Sequence, residues 1–171
     1  MRNLALPASA LEMAPPTARV RSGPPVIWRA GLPWPCAQLA IAVDTAFVAG
    51  AGNCSIGGGI YLIDNQLNGG SSGEGGFASL ASVAPLGSLV GYTAYPLDTS
   101  MGDQVAITGF SVVEGDVFGC AGYPIAQRPD YWIAQAMNLG SQVYQVQLRI
   151  TAGALRPTQF HVHVQATLRT C

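Results

Sequence analysis

Lysine is absent, and all eight cationic residues are arginine. That removes Schiff-base, P-loop and kinase-type lysine chemistry at once. Charge of either sign is scarce: 10% of the residues, against about a quarter in an ordinary soluble domain, with a net of −1. So little charge gives little protection against association, which points to a surface partly covered by partners. No stretch reaches roughly 18 uninterrupted apolar residues, so no membrane span is expected. Pro7, Glu12, Pro15 and Pro16 break up the start of the chain, and a cleaved signal peptide is not expected there. Cys36, Cys54, Cys120 and Cys171 lie far apart, without metal-site spacing or the density of a disulfide scaffold. Buried free thiols are the expectation.

Proline and glycine are plentiful but unevenly placed. Residues 1–35 hold seven of the twelve prolines, with Arg2, Arg19, Arg21 and Arg29 against one acid, Glu12. This is an extended, basic arm, because each residue before a proline is pushed out of the helical region. Four arginines less one acid make it +3; Arg128, Arg149, Arg156 and Arg169 against eight acids make residues 36–171 −4. Val26, Ile27, Trp28, Leu32 and Trp34 supply apolar anchors, so the arm suits docking along another protein surface. Arg19, Arg21 and Arg29 would meet acidic patches there. Nucleic acid is disfavoured as the partner, since it usually demands a denser basic stripe.

Residues 36–171 read as an all-β body. Residues 38–49 are apolar enough for one buried strand, 60–64 for a short one, and 86–95 and 104–113 for two more. Residues 144–150 and 159–169 alternate strictly between apolar and polar, the pattern of strands with one buried and one wet face. Gly153 and Pro157 lie between them, so they should form a hairpin. Residues 131–139 read either as a helix capped by Asp130 and stopped by Gly140, or as a strand through residue 137. Six to eight mainly antiparallel strands, with at most one short helix, predict a β-sandwich or jelly-roll-like body behind the arm.

Several motifs invite chemistry. His161 and His163 share one face of a strand and lie about 7 Å apart, within reach of a common metal. Gln145, Gln147 and Arg149 should share that face, and arginine would repel a cation. No metal or cofactor is expected. No serine sits in G-x-S-x-G, and the acids lie mostly in turns. Residues 73–78 match G-x-G-x-x-A without a preceding strand or a βαβ unit, so the match is fortuitous. Asn53 opens a formal glycosylation sequon. Tyr123, Arg128, Tyr131 and Trp132 gather near Pro124 and Pro129 as a ligand or interface loop, or as rings packed over one end of the sandwich.

With no catalytic constellation, the expectation is a non-enzymatic structural subunit. Its composition and architecture resemble those of capsid decoration (cement) proteins of tailed phages. That resemblance implies a homo-oligomer in a virion, whose arm binds other copies or a major capsid protein. A head–tail connector or tail subunit, and a carbohydrate-binding or adhesive sandwich, are the alternatives.

Overall fold

A computed structural model describes residues 34–51, 58–65, 80–153 and 158–171. In chain order the elements are β1 (Ala37–Val43), α1 (Thr45–Ala51), β2 (Ile60–Asp64), β3 (Leu80–Ala84) and β4 (Leu89–Pro96). They continue as β5 (Gln104–Glu114), β6 (Ile125–Arg128), β7 (Tyr131–Gln135), β8 (Ser141–Ala152) and β9 (Thr158–Thr170). They form two packed sheets, one ordered β2-β1-β4-β7-β6 and the other β3-β9-β8-β5. The fold is therefore an all-β sandwich with one short helix among the described residues. Its pairs are antiparallel except for β1 beside β4 and β3 beside β9, which run parallel.

The long hairpin forms as its alternation predicts. In β8, Tyr144, Val146, Leu148 and Ile150 are buried; in β9, Val162, Val164, Ala166 and Leu168 are buried. These side chains line the inner face of the four-stranded sheet, while Leu39, Ile41, Leu62, Val90 and Tyr92 face them from the other. Rings fill the centre. Tyr92 meets Phe110 edge-on at 4.9 Å between centroids, and Phe118 meets Tyr144 at 5.5 Å.

The structure departs from the sequence-based expectation in two places and decides between alternatives in a third. Residues 38–49 are not one strand, because Asp44 ends β1 and starts a helix. Its Oδ1 accepts the Phe47 backbone N–H at 2.9 Å, the geometry of an N-cap, and only Thr45 and Val48 of α1 are buried. Of the two readings of residues 131–139 the strand forms, ending at Gln135: the alternation across Tyr131, Trp132, Ile133 and Ala134 places them in β7, paired with β4. Among the described residues nine strands form rather than six to eight, since β3 and β6 are also present.

A bulge governs β5. Ile107 pairs with Leu148 and Gly109 with Gln147, leaving Thr108 as an extra residue. The inward phase thereby shifts from Val105 and Ile107 to Phe110, placing a ring rather than a glycine in the core.

The two sides of the sandwich close differently. At the β4–β5 side, the turn between β6 and β7 bonds to both sheets through its backbone. Asp130 C=O accepts from Ala94 N–H at 3.0 Å, and Pro129 C=O accepts from Ile107 N–H at 2.8 Å. At the β2–β3 side, Ser82 Oγ donates to Asp64 Oδ2 at 2.9 Å.

Candidate functional site

The outer face of the five-stranded sheet carries the most unusual surface among the described residues. Ala42 of β1 pairs with Tyr61 of β2 on one side and Tyr95 of β4 on the other. With neighbouring strands about 4.8 Å apart, the two tyrosines stand about 10 Å from each other with only a methyl group between them. Ile63 flanks this gap beside Ala40, and Leu97 extends it, its N–H donating to Val43 C=O at 2.8 Å. The result is an apolar groove of about 320 Å³ lined by Ala42, Tyr61, Ile63, Tyr95 and Leu97. Ile63 is 47% exposed and Leu97 54%. No lining residue is charged.

Further down β4 the same face is covered. Pro35 and the Tyr131 hydroxyl close over Gly91, where an added Cβ would stand 3.4 Å and 3.3 Å from them. Even a methyl group there would crowd this cover, which would have to give slightly to admit it. Pro35 is thus seated on the sheet, while the neighbouring Trp34 is 79% exposed. Acids rim the open part: Asp44 follows β1, and Asp98 follows Leu97. The Asp98 carboxylate accepts the Ser100 N–H at 2.8 Å, and its bonds with Ser100 lower its pKa, keeping it charged.

The other candidates separate. Arg19, Arg21, Val26, Ile27, Trp28, Arg29 and Leu32 lie outside the described residues, as do the sequon at Asn53 and the glycine match at 73–78. Tyr123, Arg128, Tyr131 and Trp132 do not form one stacking platform. Strand alternation turns Trp132 inward, 5.3 Å from the Phe110 ring, with its indole nitrogen buried and without a hydrogen-bond partner. Tyr131 faces outward with the Arg128 guanidinium 5.7 Å from its ring centre. Burial raises the Tyr131 pKa, and Arg128 opposes that rise. The Arg128 Nε lies 3.6 Å from Asp130 Oδ1, an exposed ion pair that contributes little to stability. Tyr123 donates its hydroxyl to Phe110 C=O at 2.6 Å, which fixes the loop to β5.

His161 stands opposite Arg149 and His163 opposite Gln147, on the wet face that their spacing predicts. No three His, Cys, Asp or Glu side chains gather among the described residues. Cys36, Cys120 and Cys171 are free, as expected, but exposed, correcting the expectation that they are buried, and Cys54 lies outside the described residues. Among the described residues no helix is long and apolar enough to cross a membrane.

A family model matches residues 37–155, from the start of β1 through β8. The chain belongs to the family described as a domain of unknown function, DUF8788. No curated protein matches. Among solved structures, the DUF8788 chain is similar in fold to an inclusion body protein, PixA, from Burkholderia cenocepacia J2315. The identity is 18% and the TM-score 0.58, with 79% of this chain and 94% of that one covered.

This likeness corrects the expectation of a phage virion protein, whether capsid decoration (cement), connector or tail subunit. The neighbour in fold is a bacterial inclusion body protein, and a virion location loses its basis. The carbohydrate-binding alternative loses the platform it required once Trp132 turns inward.

Proposed function

We propose that this protein works by self-association, its copies packing into a dense homomeric body, and that it is not an enzyme. The observation that carries this reading is the bare apolar groove between Tyr61 and Tyr95. An exposed sheet face of this kind, on a chain with 10% charged residues, favours burial against protein over hydration. The arm adds a second contact of opposite charge, +3 against −4, with apolar residues at 26–28 and 32. Two weak contacts on one chain reinforce each other, because forming the first raises the effective concentration for the second. The similarity in fold to PixA, an inclusion body protein, agrees with such packing.

Sedimentation velocity of the full chain over a wide concentration range tests the reading. The expected result is species that grow in mass with concentration. A monomer at every concentration would overturn it.

A further inference from the structure

The groove and Pro35 share one sheet surface but lie toward opposite ends of it. Pro35 enters over Gly91, near the start of β4, whereas the groove opens at Tyr95 and Leu97, near its end. β1 runs toward the groove, so residues 34–36 lie at the far end. Trp34, which lies between Pro33 and Pro35 in the sequence, is largely exposed there. Proline on both sides fixes φ and disfavours a sharp reversal onto the same sheet. A neighbouring molecule meets no such constraint.

Chemistry matches across the gap. The lining is aromatic and aliphatic without charge, and its rim carries Asp44 and Asp98. Residues 26–32 read Val-Ile-Trp-Arg-Ala-Gly-Leu, three consecutive apolar side chains followed by one cation. An extended segment of this kind lays its apolar side chains into a groove while its arginine reaches an acidic rim. We propose that the Ala42–Tyr61–Tyr95 groove receives residues 26–32 from the arm of a second copy of this chain, with Trp28 in the groove and Arg29 toward Asp98.

This inference rests on the self-association reading and names its receiving site. The test uses the full chain with a photo-crosslinking amino acid at Trp28, mixing isotopically labelled and unlabelled copies before irradiation. Mass spectrometry should find crosslinks from position 28 to peptides holding Tyr61 and Ile63 or Tyr95 and Leu97, with labelled-to-unlabelled pairs prominent. Tyr95→Glu with Leu97→Glu, both at exposed positions, should abolish those crosslinks and raise the concentration needed for association by about tenfold or more. Crosslinks confined to one label would assign the groove to the chain's own arm and overturn the proposal. Crosslinks elsewhere in an assembly that persists would overturn the groove while leaving self-association standing. A monomer throughout would overturn both.

Discussion

Tyr92 and Tyr144 meet edge to face at the centre of the sandwich, 5.9 Å between ring centroids, with both hydroxyls buried. Burial raises the pKa of both well above the ordinary tyrosine value. In the unfolded chain each proton leaves near pH 10; in the folded protein it stays. The stability this gives is present in full below about pH 10 and is lost as pH rises above it. Each tyrosine should contribute a loss of up to about 1.4 kcal/mol per pH unit there. With no lysine to titrate in the same range, urea denaturation between pH 9 and 11 should read this limb directly. Tyr144→Phe should flatten it, and an unchanged slope would remove the pair as its cause.

The Asp103 carboxylate joins three parts of the chain. Its Oδ2 accepts from Thr45 Oγ1 at 2.5 Å and its Oδ1 from Gly153 N–H at 3.0 Å, linking α1, the entry to β5 and the end of β8. Asp103→Ala should lower stability by about 2–3 kcal/mol, given the usual worth of hydrogen bonds to a charged group. Chemical denaturation measures it, and a change under about 0.5 kcal/mol, the usual limit for surface substitutions, would mean the link is idle.

Thr108 is the extra residue of the β5 bulge. Deleting it leaves Ile107, Gly109 and Phe110 in unbroken alternation opposite Leu148, Gln147 and Val146, so Phe110 should stay inward and the cost should fall well below that of Phe110→Ala, about 3–5 kcal/mol. Comparing the two variants by urea unfolding decides the matter. A deletion as costly as losing the core ring would show that the bulge itself, rather than the phase of the side chains, holds the strand in place.

Removing residues 1–35 should leave the far-ultraviolet circular dichroism of a β-sandwich while lowering the sedimenting mass to that of a monomer. Unchanged association without the arm would assign self-contact to the body alone.

How much was legible from sequence follows the range of the contacts. β8 and β9 declare themselves because Tyr144 to Ile150 and Phe160 to Leu168 alternate without interruption, and the register that sets His161 against Arg149 follows from the hairpin. α1 was hidden by Val43, Phe47 and Val48, which prolong the apolar run past its true end; Asp44 was the signal. β3 is short and chemically mild, and its parallel partner β9 lies some eighty residues away, beyond any local pattern. The groove was hidden for a similar reason. Tyr61 and Tyr95 become neighbours only when β1 enters between β2 and β4. One clue existed: in Ile60, Tyr61, Leu62 and Ile63 both faces of the strand are apolar, more than an edge strand with one wet face requires.

The backbone seam on one side of the sandwich fixes where the two sheets stay joined. Where the Pro129–Asp130 turn bonds to both sheets through main-chain atoms, parting them means breaking the backbone pairing itself. The Ala94 and Ile107 amides, which donate into that turn, should therefore exchange slowly with solvent, so the seam keeps the sheets together while less tightly bonded parts of the sandwich open and close.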